Sequence, residues 1–343
     1  MGFLTGAFAV LIDGNDVTSR WQPTLKELSV ERTSRRAEDS FDATLADIDG
    51  NTVLPQPGAQ VEIQLGHEET GVGWVFSGFV TKATSRGAKG SGREISVTGS
   101  SVDRGSKVKA PALRHKDQAS FSDVAQEFGS KAGLQVQVLG SLAGLQRAYW
   151  LQQHESFLSW GQRMARDLGA TFKIIGSQAF FTPRNEGFSV SGQPLPTITG
   201  TWGDNLEGWS IEPEIAHPQF QNVITRHYDL KQAKWVEKTL GVDGVSVPAD
   251  LRPLLGRGTQ DEGDQQAQGI SKASRREKGR GTVKIVGDYA AEPEALFVLS
   301  GARPGIDGSY RIESVSHQLN KKDGFVTSLT LRHPQDGAGT DSR

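Results

Sequence analysis

The chain of 343 residues has no cysteine. Disulfide scaffolds, thiolate zinc centres and cysteine nucleophiles are thereby excluded, and stability must come from burial and assembly. Long apolar runs are missing too. The first candidate, FLTGAFAVLI, is ten residues long, is interrupted by glycine and has no Lys or Arg ahead of it. It fails as a signal peptide and as a membrane span. It reads as an opening strand that ends at the turn Asp13-Gly14-Asn15-Asp16, and the protein is expected to be made and kept in a cytoplasm. An excess of one charge is lacking as well. Thirty-eight Lys and Arg against forty Asp and Glu leave a net charge of −2, which gives no general attraction to nucleic acid or anionic lipid.

Catalytic signatures are equally scarce. No G-x-S-x-G nucleophile elbow occurs. His154-Glu155 would suit a zincin if a second histidine stood four residues after His154, but that position is Leu158. The pair therefore reads as the polar flank that fixes the entry of a helix. His67, His115, His217, His227, His317 and His333 are scattered without ligand spacing, and strand-surface or core positions are expected for them. A glycosidase needs two carboxylates at a defined separation, and nothing in the pattern singles out a pair. The glycine-rich RGAKGSGR, Arg86 to Arg93, lies between two strand patterns and lacks the Walker spacing, so it reads as a hairpin loop. The basic cluster Lys272, Arg275, Arg276, Lys278 and Arg280 reads as a solvated helix end or a subunit contact in preference to a phosphate site. Arg32, Arg35 and Arg36 stand beside Glu38, Asp39 and Asp42, and that patch is expected to neutralise itself. No catalytic, cofactor-binding or metal-binding residue is assigned, no cofactor is expected, and the protein is expected not to be an enzyme.

What the sequence does hold is glycine, 41 residues of it, set between short alternating runs. That pattern predicts a β-rich α+β protein. In residues 1–107 the runs LKELSVER, DSFDATLAD, QVEIQLG, GWVFSGFVTKATS and REISVTGS alternate apolar and polar, as half-buried strands do. In residues 108–190 the period changes. Ser120 caps a helix with Asp123 three residues on, Phe121, Val124, Ala125, Phe128 and Ala132 form its apolar face, and Gly133 stops it. The strand LQVQVLG follows. A second helix has Ser156 as cap, Phe157, Leu158, Trp160, Met164, Ala165 and Leu168 on one side, and Gly169 at its end. A hairpin then turns at Gly176-Ser177. These elements make a small α/β insert. Residues 191–335 return to strands, with one helix in DEGDQQAQGISKASRREKGRG, whose acids come first and bases last as the helix dipole favours. Residues 336–343 are a polar tail.

The two strand-rich regions echo each other. VEIQLG, GWVFSGFVTKATS, a charged loop and REISVTG match ALFVLSG, GSYRIESVSHQL, the loop NKKDG and FVTSLTLRH, with Trp74 against Tyr310, Phe76 against Ile312 and Phe79 against Val315. A true duplication would give one chain two similar barrels joined by the insert, and three such chains a ring that looks six-fold.

The segment from Ser120 to Thr182, with YWLQQHESFLSWGQRMARDLGATFKI at its centre and AFFTP at its end, resembles the phage late control protein D family. Gln153, Glu155, Ser156, Arg163, Ala165 and Gly169 carry the pattern. These proteins are baseplate hubs of phage tails, similar to the hub portion of type VI secretion VgrG spikes. The ending GSYRIESVSHQLNKKDGFVTSLTLR is also similar to that family's. The resemblance implies two tail-tube-like β-barrel domains, 1–107 and 191–335, with the α/β insert domain 108–190 between them. It implies a homotrimer whose pseudo-six-fold ring joins the tail tube protein to a central spike protein and lines the DNA channel. Other baseplate proteins and a tape measure protein are further implied contacts, and the location implied is the virion tail after assembly in the host cytoplasm. The chain departs from long spike fusions, because only the polar tail follows residue 335, with no room for an OB-fold, needle or lysozyme domain; a separate spike protein is implied. A tail-tip peptidoglycan or polysaccharide hydrolase and a siphophage tail-tip binding module are the alternative readings. Whether the tail contracts is not written in the sequence.

Overall fold

A computed structural model describes residues 4–90, 92–103, 105–184, 195–212, 221–229, 232–241, 249–253, 259–276, 279–335 and 338, with backbone only for 272–276 and 335. Among the described residues there are 21 strands and four α-helices, so the chain is β-rich as expected. The first strands are β1 (Gly6–Ile12) and the two-residue β2 (Asn15–Asp16), joined by a turn in which Asp13 and Gly14 both have positive φ, 49° and 75°. The short helix α1 (Thr18–Trp21) leads to β3 (Leu25–Thr33), β4 (Ser40–Ala46), β5 (Gln60–His67), β6 (Gly71–Ala88) and β7 (Gly92–Ser100). Their alternating apolar residues point one way. Leu28, Val30, Phe41, Ala43, Ile63, Leu65, Ile95 and Val97 are buried in one core.

The next elements are β8 (Pro111–Ser120), α2 (Phe121–Lys131), β9 (Gln135–Val138), β10 (Gln146–Ser156), α3 (Phe157–Leu168), β11 (Ala170–Ile175) and β12 (Gln178–Pro183). Both helices begin as the sequence predicts: the Ser120 and Ser156 hydroxyls accept from the amides of Asp123 and Ser159 at 3.2 and 3.1 Å. Gly169 ends α3 at φ 62°, a left-handed cap that suits glycine. The apolar faces of α2 and α3 close on an aromatic core in which Phe121, Trp160, Phe172 and Phe181 pack at 4.5–6.2 Å between ring centres. One element was not expected from the sequence. β8 and β10 form a two-stranded ribbon, hidden in the sequence because RHKDQAS and LQQHES are too polar to read as strands.

The last third holds β13 (Thr197–Thr201), β14 (Leu206–Glu212), β15 (Asn222–Asp229), β16 (Lys234–Gly241), β17 (Asp250–Leu251), α4 (Gln260–Arg276), β18 (Arg280–Val286), β19 (Leu296–Ser300), β20 (Gly308–Asn320) and β21 (Gly324–Gln335). β15 to β17 form a small separate sheet on which α4 lies. The other strands of this third join those of the first in one 13-stranded sheet.

That sheet contains one strand order twice. Its first half runs β1-β5-β6-β7-β4-β3, and its second half runs β13-β19-β20-β21-β18-β14. Corresponding strands occur in the same chain order, with β15 to β17 and α4 inserted between β14 and β18. Two of the bulges coincide too. β3 slips against β4 between Leu25 and Glu27, and β14 slips against β18 between Leu206 and Gly208. β6 slips against β7 between Val80 and Lys82, and β20 slips against β21 between Ile312 and Ser314. One difference stands out: β1 is antiparallel to β5, whereas β13 is parallel to β19.

The echo found in the sequence is thus a repeat of topology, but its residue pairing is four positions out. Phe79 faces Ser100 as Arg311 faces Arg332, and the hairpins close at Ala88–Gly92 and Asn320–Gly324. Each corresponding pair lies 232 residues apart. Phe79 therefore corresponds to Arg311 and not to Val315. The physical reason is the period of a strand, because a slip by an even number preserves every inward and outward position and leaves no trace in the alternation.

The halves meet along β20. Its second part pairs with β3, from Ser314–Thr33 to Asn320–Glu27. The tip of the β20–β21 hairpin enters the gap between β1 and β3, and Leu319 and Phe325 complete the core of the first half. The backbones approach closely there: a Cβ on Gly6 would sit 2.5 Å from Leu319 Cδ1 and 3.0 Å from the Phe325 amide nitrogen. Among the described residues no helix is long and apolar enough to cross a membrane.

Candidate functional site

The structure separates His154 from Glu155. β10 is bulged between Gln153 and Glu155 relative to β8, and His154 is the extra residue, exposed and at φ 49°. Glu155 turns back along α3, where Arg163 donates through Nε at 3.2 Å; the same guanidinium donates through Nη2 to the Leu151 carbonyl at 2.8 Å. Glu155 thus ties the end of β10 to the middle of α3. No group of three or more metal-ligating side chains occurs among the described residues.

Of the scattered histidines, two stand together. His67 and His317 both pack on the Phe325 ring, at 5.4 and 5.8 Å. His67 Nε2 lies 3.0 Å from the Gly287 carbonyl, and His317 Nδ1 lies 3.1 Å from the Thr327 hydroxyl. Complete burial, and then the nearby Arg32 charge, push the His317 imidazole down to about 3, so it is neutral in the fold. His115 stacks on Tyr149 at 5.8 Å, His227 is buried in β15, and His217 lies outside the described residues.

The most concentrated chemistry lies where the three parts of the chain meet. Asp39, on the turn between β3 and β4, pairs with Lys173 of β11, and both side chains are buried. The same carboxylate accepts from the Thr33 amide at 3.1 Å. Burial pushes the Lys173 amine down, and the Asp39 carboxylate offsets part of that. Around this pair the backbones interlock: Ile174 donates to Ala37 at 2.8 Å, Gly176 to Ser101 at 3.0 Å, and the Ser101 hydroxyl to Ile174 at 2.8 Å. On the other side Arg32 reaches Glu292 at 3.5 Å and covers Trp74 at 5.2 Å. Glu313 receives Arg35 at 2.7 Å and Arg332 at 3.1 Å.

The expected self-neutralisation of the Arg32–Asp42 patch is therefore incorrect. Three of its six charges, Arg32, Arg35 and Asp39, are balanced by Glu292, Glu313 and Lys173 far along the chain, because the turn between β3 and β4 is the common seam of three segments. Asp42 is an exception, since burial and then Glu31 and Glu27 raise its carboxyl. Sequence offered one hint of the seam, a lysine inside the apolar run ATFKII. The buried pair is no surplus of stability by itself, but losing one partner would strand the other charge.

The remaining candidates are surface features. The glycine-rich stretch is the β6–β7 hairpin, with Gly90 and Gly92 at positive φ. In the basic cluster, Arg280 pairs with Glu212 at 2.9 Å; the side chains of Lys272, Arg275, Arg276 and Lys278 lie outside the described residues, as does the tail except Ala338. Two aromatic pairs face solvent. Trp202 packs on Trp209 at 4.9 Å beside β14, and Tyr228 packs on Trp235 at 5.5 Å on the β15–β16 ribbon. Trp202 and Trp235 are each more than half exposed. The geometry offers two exposed aromatic pairs and a locked junction, with no assembled catalytic constellation among the described residues.

No protein-family model matches the chain. In sequence it is 23% identical over 365 residues to a probable baseplate hub protein of Escherichia phage 186, covering 96% of this chain and 93% of that one. In fold it is similar to a tail protein from Neisseria meningitidis MC58, with a TM-score of 0.71, 16% identity, and 98% of each chain covered. It is also similar to an Escherichia coli component of the type VI secretion system, itself described as structurally similar to the T4 bacteriophage tail proteins gp27 and gp5. The TM-score is 0.59 at 10% identity, with 93% of this chain and 76% of that one covered. The resemblance to phage baseplate hubs and their VgrG-like relatives thus extends from the Ser120–Thr182 segment to nearly the whole chain.

Proposed function

We propose that the protein is a structural baseplate hub of a phage tail, a trimer forming a pseudo-six-fold ring that joins the tail tube to a central spike and lines the channel through which DNA leaves. The observation that carries this reading is the repeat inside the sheet. One chain holds the same strand order twice with coincident bulges, so three chains would present six similar units to a six-fold neighbour. Likeness to a relative named as a probable hub supports the same assignment.

On this reading the chain divides as 1–107, 108–190 and 191–335, two tube-like barrel domains with an α/β insert. Three larger hydrophobic cores support that division, although Leu319 and Phe325 belong to the first and Ala37 and Val102 to the second, and a fourth, small cluster of Val223 and Ala267 lies under α4. The first is built around Leu28 and Ile63, the second around Trp160 and Phe181, and the third around Ile312 and Leu331. The role is structural and not catalytic, in keeping with relatives named for hubs and tails. Its partners are a tube protein, a central spike protein and other baseplate proteins, and its place is the end of the virion tail.

The decisive experiment is the mass of the native protein in solution. The chain weighs 37.0 kDa, and light scattering is expected to give three times that value at micromolar concentration without added ligand. A concentration-independent monomer would overturn the ring. Incubation with purified cell wall is expected to release no soluble fragments; clearing would restore the hydrolase alternative.

A further inference from the structure

The contact between the two halves uses two edges, and each has a counterpart that is open among the described residues. In the second half, β20 runs on past its pairing with β19, and its extension from Ser314 to Asn320 pairs with β3 of the first half. In the first half, β6 likewise runs on past its pairing with β5, which ends at Phe79. Its extension from Lys82 to Gly87 pairs with β7 on one side and, among the described residues, with no strand on the other. The counterpart of β3 is β14, which pairs with β18 on one side and with no described strand on the other.

Burial reports the same asymmetry. Leu28 and Val30 of β3 are 0% exposed beneath β20. Their counterparts, Trp209 and Ile211, pack on the third core but remain partly exposed. In β20, His317 and Leu319 are buried, whereas their counterparts Ser85 and Gly87 in β6 are exposed. Among the described residues, no additional strand flanks Trp209 and Ile211 as β20 flanks Leu28 and Val30.

We propose that these two open edges are the halves of one interface, and that a second copy of this chain closes it: β6 of one protomer pairs antiparallel with β14 of the next. The inference rests on the ring reading and adds its register. Transferring the β20–β3 pairing gives Thr84 opposite Glu212, Ser85 opposite Ile211, Arg86 opposite Ser210 and Gly87 opposite Trp209. The chemistry of the two edges agrees with that register. Arg86 falls diagonal to Glu212, within reach of a long side chain. The β6–β7 hairpin brings Lys82, Arg86, Lys89 and Arg93, while β14 brings Glu207 and Glu212, whose exposed pairs with Lys284 and Arg280 leave carboxylate oxygens for a second cation. Gly87 leaves its inner side empty where the broad Trp209 ring needs room, the pairing by which an aromatic residue shields an edge glycine. The contact joins different edges, so it propagates head to tail and terminates only by closing into a ring.

The absence of native cysteine makes the test clean. Arg86→Cys and Ser210→Cys place thiols on facing exposed positions. Under mild oxidation the double variant is expected to give covalent dimers and trimers on a denaturing gel and nothing larger. Each single variant alone is expected to stay monomeric on that gel, and an equal mixture of the two to give dimers. Trimers in solution without any cross-link would overturn the edge pairing and leave the ring intact. A monomeric protein at all concentrations would overturn both, and a ladder continuing past three chains would overturn closure at three.

Discussion

β3 and β14 occupy the same place in two copies of one strand order, carry the same bulge, and differ in what lies beside them. β3 is covered by β20, and its inward residues are sealed. Among the described residues β14 ends the sheet, with Trp209 and Ile211 partly exposed. The inward residues differ accordingly: Leu28 and Val30 in the covered strand, a tryptophan and an isoleucine in the bare one. A repeated fold thus need not be repeated in burial. Topology fixes which residues face inward, while the neighbouring strand decides how much water reaches them.

The comparison can be broken most severely at the seam that fixes the two halves to the insert. Asp39→Ala leaves the Lys173 ammonium buried without its partner, and a loss of about 3–5 kcal/mol is expected in guanidinium unfolding. Adding Lys173→Met should restore much of it, because no buried charge remains. Recovery that fails to appear would mean that the pair matters for shape more than for charge.

The covered and bare strands can next be tested position against position. Leu28→Ala is expected to cost about 3 kcal/mol through the cavity it leaves. Trp209→Ala, at the counterpart, should cost about 1 kcal/mol in the dilute chain, because its ring is already partly hydrated. Equal costs would show β14 to be covered in the free protomer.

A third difference is acid sensitivity. His317 corresponds to Ser85, so only the second half carries a titrating group there. The folded His317 titrates at about 3, whereas an unfolded histidine titrates near 6.5. Below about pH 6.5 the unfolded chain takes up a proton that the fold refuses, and stability is lost progressively as pH falls toward 3. At pH 5 the loss is on the order of 2 kcal/mol. His317→Gln is expected to flatten that part of the stability profile, measured by denaturant midpoints from pH 7 to 4.

The smallest effects belong to the exposed ion pairs. Lys26→Ala removes the pair with Glu94, and Arg280→Ala removes the pair with Glu212. Each should change stability by about 0.5 kcal/mol or less, since both partners are hydrated. A larger change for Arg280 alone, seen only at concentrations where trimers form, would assign it to the interface.

Much of this architecture was legible in the sequence. Ser120, Ser156 and Gly169 marked helix ends by chemistry that acts within one turn, and alternation located β3 to β7. The echo between the β-rich regions was legible as a pattern but not in register, because alternation cannot distinguish slips of two or four residues. The seam was out of reach for a different reason. Its pairs join Asp39 to Lys173 and Arg35 to Glu313, and no local rule links charges so far apart. The β8–β10 ribbon escaped because its polar strands carry little hydrophobic signal. In the site question, Leu158 was enough to discount a zincin, but only the fold could place His154 on a bulge and turn Glu155 toward Arg163.

The hairpin tip between β1 and β3 imposes an order on synthesis. Leu319 and Phe325 leave the ribosome about 290 residues after Leu28, yet they finish the core in which Leu28 sits. The N-terminal sheet therefore waits, incompletely packed, until almost the entire polypeptide has been translated. A nascent chain that stalls before β20 exposes both the unfilled gap and the uncovered β3 edge, the apolar surface and unpaired strand that make incomplete chains prone to aggregate.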